Sequence, residues 1–207
     1  VVDLPSNYFD NVRVILMNPP FVAGINCVSR KNTLFKKIRE VKQRTAITDV
    51  GQMNLEGAFI EAVCSLCKPK TVVACVLPKA HLVARGKEAV TLRKYLITDF
   101  GLQTIFSYPE EGLFEDVVKG TCVVVGKIGD PAKTIKIINS IETVADIDLH
   151  VFEEAICSDF NAETFSGIAP GIEGISQTNA QLRSLVNDGW RLVCREFNDA
   201  FSFLQAY

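Results

Sequence analysis

The chain has 207 residues, 48% hydrophobic and 22% charged, with a formal net charge of −2. That length can bury a sizeable core, and the composition excludes a disordered, collagenous or disulfide-scaffold protein, while the small net charge does not mark the whole surface for nucleic acid. No apolar run approaches the ~20 residues of a membrane span, and the seven cysteines lie in apolar stretches such as Ala74-Cys75-Val76, where they read as small core hydrophobes of a reducing, cytoplasmic compartment.

The first residues, Val1-Val2-Asp3, form neither an initiator sequence nor a signal peptide, so a longer parent protein is expected. The first strong element is the apolar run Val12-Arg13-Val14-Ile15-Leu16-Met17, rich in β-branched residues and suited to a strand covered on both faces. It stops at Asn18-Pro19-Pro20-Phe21. Neither proline can donate to a sheet ladder, and Pro19 drives Asn18 towards extended backbone, so the tip is stiff. In open α/β sheets ligands sit outside the carboxyl ends of strands, where Asn18 and Phe21 are expected to project. An amide oxygen, carbonyls beside prolines and a flat apolar ring suit an amino group on a planar ring.

Between Arg30 and Arg44, the cations Arg30, Lys31, Lys36, Lys37, Arg39, Lys42 and Arg44 face only one acid, Glu40. By composition this is a solvated helix face; its position after the rigid tip makes it a candidate phosphate contact, expected as a loop mobile without DNA. Asn54 to Lys68 has helical apolar spacing, ended by Pro69. Its Cys64 and Cys67 form a lone Cys-x-x-Cys with no second ligand pair, which reads as core packing, with no metal. Thr71 to Pro78 is a second buried strand. Lys87 to Thr98 is an amphipathic helix with Arg93 and Lys94 between its apolar positions. Gln103 to Tyr108 and Thr121 to Lys127 lack room for a crossover helix between them, and are expected as an antiparallel hairpin at one sheet edge. Thr134 to Asn139 is a candidate further strand, Ile141 to Ile156 an acidic helix, and Ser166 to Ser176 a loop or linker. His81 and His150 have no carboxylate or second histidine at ligand spacing and read as structural. The whole predicts an α/β chain: a partial doubly wound, Rossmann-like sheet of parallel strands with an antiparallel edge hairpin, then a mostly helical tail. The expected division is 1–139 and 140–207.

Asn18-Pro19-Pro20-Phe21 after an apolar strand resembles motif IV of the adenine-N6 DNA methyltransferases. Leu77-Pro78, the helix around Leu92-Arg93-Lys94-Tyr95-Leu96, Pro109 to Phe114 and Thr121 to Val125 follow in the order of motifs V to VIII. The nearest likeness is the modification subunit of type I restriction systems, over roughly residues 10 to 128. The resemblance implies methyl transfer from S-adenosylmethionine to the exocyclic amine of an adenine flipped out of double-stranded DNA. In that scheme Asn18, Pro19, Pro20 and Phe21 are catalytic, with Asn18 also beside the donor. Phe21 and Phe114 stack on the base, and Arg30, Lys31, Lys36, Lys37, Arg39 and Lys119 contact DNA. Specificity and restriction subunits are implied partners, with no membrane and no metal. A target-recognition region, beginning in 140–207 with Trp190 and the aromatic tail, is implied as well.

The chain departs from that family in one respect. The family holds its donor chiefly with a glycine-rich turn after an earlier strand, and no Gly-x-Gly occurs among the thirteen glycines. The fragment is therefore expected to supply half a sheet, with a long apolar edge, and to be inactive alone. Two other readings are a protein-glutamine methyltransferase, whose tetrapeptide usually ends in Tyr, and a non-catalytic DNA-binding or assembly module.

Overall fold

A computed structural model describes residues 1–108, 120–140, 166–169 and 171–190. The apolar run becomes β1 (Val14–Met17), and the segment after the tetrapeptide becomes a 3-10 turn (Gly24–Asn26) leading into α1 (Val28–Lys42). The basic stretch is thus a helix and not the expected loop. Leu34, Phe35 and Ile38 return to one face at helical spacing and are buried in a cluster with Leu55, Ala58 and Ala62, which holds α1 on α2 (Leu55–Ser65). Packing of one amphipathic face supplies what propensity alone does not.

β2 (Val72–Pro78) and the one-turn α3 (Ala80–Val83) lead to α4 (Lys87–Ile97). The pair β3 (Leu102–Ser107) and β4 (Thr121–Lys127) is followed by β5 (Thr134–Ser140), β6 (Ser166–Ala169), β7 (Ile172–Thr178) and α5 (Asn179–Ser184). The strands form one seven-stranded sheet in the order β1-β2-β4-β3-β5-β7-β6. β1 and β2 are parallel, as are β3 and β5, while β4 runs antiparallel to both β2 and β3. The α/β class and the partial Rossmann-like sheet stand as expected.

Two further expectations need correction. The β3–β4 pair is antiparallel, but it lies inside the sheet, with β4 against β2 and β3 against β5. β6 and β7 pair antiparallel and continue the sheet, β7 pairing along the whole of β5, so Ser166 to Ser176 is not simply a linker. Arg93, which lies between the apolar positions of α4, is fully buried. The expected helix at 141–156 lies outside the described residues.

β2 alternates cleanly. Val73, Cys75 and Leu77 are wholly buried in the same core as Ile60, Val63, Leu92 and Leu96 of α2 and α4, while Val72, Ala74 and Val76 point to the other face and are half-buried. In β1, Ile15 and Met17 pack on that core, but Val14 and Leu16 are 57% and 80% exposed. β1 is an edge strand with one bare face, where its apolar composition predicts cover on both. At the turn before β3, Gly101 adopts φ +69°, and a side chain there meets the Lys127 carbonyl at 2.0 Å, so only glycine lets α4 pass so close to β4.

Candidate functional site

The site is built at the carboxyl end of β1. Met17 is in register with Cys75, and the chain then leaves the sheet because Pro19 and Pro20 offer no donors. Pro19 is buried, whereas Asn18 and Pro20 are exposed and Phe21 keeps 43% of its surface in solvent. Among the described residues, the Asn18 amide has no hydrogen-bond partner. It borders an open cleft of about 380 Å³ whose other walls include Leu16, Ala74, Val76 and Val123. A free amide at the lip of an apolar cleft outside a parallel strand is the arrangement that ligand sites of open α/β sheets share.

The loop after the tetrapeptide is tied down from below. The Val22 N–H donates to the Pro20 carbonyl at 3.1 Å, and the Val22 carbonyl accepts from Leu55 N–H at 3.0 Å. Gly24 N–H donates to Asn54 Oδ1 at 3.1 Å. Asn54 stands at the N-cap of α2 yet makes no side-chain bond to its own helix; it serves the neighbouring loop instead. A side chain at Gly24 would lie 2.0 Å from the Gln52 carbonyl oxygen. The loop therefore rests directly on the start of α2.

Beneath this platform is a pair that no local pattern announced. Glu56, in the first turn of α2, and His81 of α3 are buried, with Glu56 Oε1 and His81 Nε2 2.6 Å apart. The second carboxylate oxygen, Glu56 Oε2, is buried with no partner among the described residues. Glu56 and His81 are 25 positions apart, so no spacing motif finds them, and the pairing is one that a search for ligand spacing around His81 could not reveal. His150 lies outside the described residues. The backbone of His81 is held by Arg93, whose guanidinium donates to the carbonyls of His81, Leu82 and Val186. Burial lowers the Arg93 pKa to about 10, so it stays charged at neutral pH. Trp190, also fully buried, closes the same layer through Nε1–H to the Leu182 carbonyl at 2.9 Å.

The basic residues do not form one stripe. Arg30, Lys36 and Arg39 are exposed. Lys31 is only 6% exposed, on the inner face of α1, and Lys37 Nζ donates to the Leu4 carbonyl at 2.6 Å. A 15-residue helix turns 100° per residue, so a run of cations is distributed around it and some face inwards. Lys31 is thereby removed from the surface, and Lys37 is engaged in tethering the N-terminal segment. Phe114 and Lys119 lie outside the described residues.

Cys64 and Cys67 are buried. Desolvation pushes the Cys64 thiol well above its ordinary range, and Cys67 up to about 11. Both are protonated at neutral pH and pack as hydrophobes. A second cavity, about 390 Å³, opens near Pro69 and Ile128 at the start of β2, the opposite end from Asn18. Its Arg44 is engaged by Glu61 at 2.9 Å and Asp99 at 3.0 Å, which favours a structural role there. Among the described residues no group of three or more His, Cys, Asp or Glu side chains is placed to hold a metal, and no helix is long and apolar enough to cross a membrane.

The family model for N-6 DNA methylases matches residues 4–155. No curated protein matches the sequence. Among solved structures, the type IIG restriction endonuclease BpuSI is 32% identical with a TM-score of 0.85, over 99% of this chain and 23% of that one. The type I restriction-modification methyltransferase subunit from Streptococcus thermophilus is 16% identical, TM-score 0.60, over 89% and 37%. The M protein of the type I restriction enzyme EcoKI is 14% identical, TM-score 0.55, over 87% and 43%. The last two show a shared fold. This chain spans less than half the length of each of the three. It belongs to the N-6 DNA methylase family.

Proposed function

We propose that this chain is the acceptor half of an enzyme that methylates the exocyclic amine of adenine in double-stranded DNA, within a restriction-modification system. The observation that supports it most is the free Asn18 amide on a rigid Pro-Pro tip beside Phe21, at the lip of a cleft outside β1. Adenine's amino nitrogen is a poor nucleophile because its lone pair is delocalised into the ring, and the duplex hides it until the base is flipped out. In this reading Asn18 Oδ1 and the Pro19 carbonyl accept hydrogen bonds from the two amino hydrogens, which localises the lone pair and aims it. Phe21 lies flat on the ring, worth about 1–3 kcal/mol of stacking, and Phe114 covers the other side. Arg30, Lys36 and Arg39, with Lys119, hold flanking phosphates. Alignment supplies most of the acceleration.

S-adenosylmethionine supplies the electrophilic methyl group when bound. Of the residues present, Asn18 suits the edge of that site, but the glycine-rich turn that carries most donor contacts in such enzymes is not in this sequence. The bare face and open edge of β1, with Val14 and Leu16 exposed, are the surface on which a donor-binding half would pack. The chain alone is therefore a binding module without transfer activity, and calorimetry of the isolated chain with S-adenosylmethionine is expected to show no binding.

The family match favours DNA over a protein glutamine as acceptor. The complete protein is expected to methylate adenine in DNA and to lose that activity in Asn18→Ala. A parent that methylated only protein, or an active Asn18→Ala enzyme, would overturn the proposal.

A further inference from the structure

Among the described residues the large exposed hydrophobic side chains fall into three groups. Val14 and Leu16 lie on the bare sheet face, and Tyr8 packs edge-on against Phe9. A third group lies in the short segment 21–28: besides Phe21, Ile25 is 68% exposed and Val28 53% exposed. Ile25 sits on the 3-10 turn and Val28 opens α1.

The backbone under these side chains is fixed. Gly24 is bound to Asn54 and has no room for a side chain against Gln52. Asn26 N–H donates to the Ala23 carbonyl at 2.9 Å, and Cys27 is 2% exposed. Apolar side chains on a turn pinned from within are thus held outwards in a set place. A mobile loop would leave them free to fold back; this one does not.

The surroundings are cationic. α1 has no acid in its first turn, Arg30 is exposed two positions after Val28, and the exposed Lys36 and Arg39 follow on the same helix. An apolar knob bordered by free cations fits a partner with an apolar interior and an anionic rim. A DNA duplex opened at one base has that chemistry, since apolar side chains wedge between base steps while cations hold phosphates. Four residues reach at most about 14 Å, so Ile25 stands within a few base steps of whatever Phe21 stacks upon.

We propose that Ile25, backed by Val28, enters the DNA stack where the target adenine leaves it and keeps that base from returning. This rests on the adenine reading and adds a DNA-contacting residue outside the tetrapeptide. Once extruded, a base can fall back into its gap; a side chain that occupies the gap lowers the cost of the extruded state.

The test uses the complete parent protein and duplexes carrying the site at which it methylates DNA, found by mapping methylated adenines. Ile25→Ala, a surface substitution, is compared with wild type on a fully paired duplex and on one with a mismatch opposite the target adenine, where extrusion is already easier. The expected result is a fall in kcat/KM of about tenfold or more on the paired duplex, shrinking to within about threefold on the mismatched one. Fluorescence of 2-aminopurine at the target position should fall in the same variant. An equal defect on both duplexes, or none, overturns the inference, as does a defect that follows lower thermal stability, which would show that Ile25 is covered by protein. A wild-type parent that does not methylate adenine, or an active Asn18→Ala enzyme, instead sinks the underlying reading, and these controls are read first.

Discussion

Asn54 is the residue on which the loop after the tetrapeptide depends most directly, and its replacement separates loop support from helix capping. In Asn54→Ala the buried Gly24 N–H loses the Oδ1 acceptor 3.1 Å away. A buried donor without a partner costs about 1–3 kcal/mol. Because Asn54 is only half-buried and water reaches part of the space, the lower half of that range, about 1–2 kcal/mol, is expected. No capping bond is lost as well, since the Asn54 side chain makes none to α2. The direct assay is hydrogen exchange in the intact protein. At about 1.4 kcal/mol per factor of ten, the Gly24 and Leu55 amides should exchange roughly 5 to 30 times faster. Turnover should fall in the same variant, because Asn18 is held through this loop. Asn54→Asp keeps the acceptor and places a negative charge at the start of α2, so it should match or exceed wild type. Unchanged exchange in Asn54→Ala, or an Asp variant as loose as the Ala variant, would show that the loop is held by something other than this bond.

Four further outcomes are expected. His81→Ala leaves the buried Glu56 Oε1 without its partner 2.6 Å away and should cost about 1–3 kcal/mol in urea unfolding; no measurable loss would mean that water reaches Glu56 freely. Arg93→Met orphans the carbonyls of His81, Leu82 and Val186 and should cost at least about 3 kcal/mol, at roughly 1–3 kcal/mol for each buried acceptor, with accelerated exchange in residues 182–190. Leu16→Glu, at a side chain 80% exposed, should change the stability of the chain itself by no more than about 0.5 kcal/mol while lowering S-adenosylmethionine affinity of the complete protein; unchanged affinity would rule out this face as the docking surface. Glu88 is held below its ordinary 4.5, first by the Gln52 N–H. A depressed carboxyl pKa contributes stability above its unfolded value, lost as pH falls through the folded value, so Glu88→Gln should flatten the acid limb of the stability curve below about pH 4.5.

Much of the frame was legible because its punctuation is local. Asn54 and Pro69 bracket α2, Gly86 precedes α4, and Thr121 to Lys127 is a strand at the residues its β-branched pattern indicates. What was not legible is decided by partners distant in sequence. Gly167, Pro170, Gly171 and Gly174 read as a linker, yet residues 172–178 form a strand because β5 offers a complete ladder and Ile172 and Ile175 find buried places. Tertiary pairing overrides weak β-propensity. Arg93 sits on α4 where helical spacing alone indicates solvent, but the segment ending at Trp190 folds across it, and Val186 is 93 positions away. The Glu56–His81 pair was hidden for the same reason. By contrast the tetrapeptide was visible because two prolines, an amide and an aromatic ring carry their geometry with them.

The misreading of β1 is of a different kind. Its apolar residues on both sides predict a strand buried on both faces, yet here only the Ile15 and Met17 side is covered. Burying a valine or leucine side chain is worth about 1.5–3 kcal/mol, so covering Val14 and Leu16, 57% and 80% exposed, offers roughly 2–4 kcal/mol to whatever packs there, before the half-buried Val72, Ala74 and Val76 are counted. A strand composition selected for two covered faces is evidence about the complete fold even where one cover is absent. The same residues border the cleft beside Asn18, so on the proposed function the element that hides this face also closes the cleft. Assembly of the sheet and completion of the candidate site would then be one event.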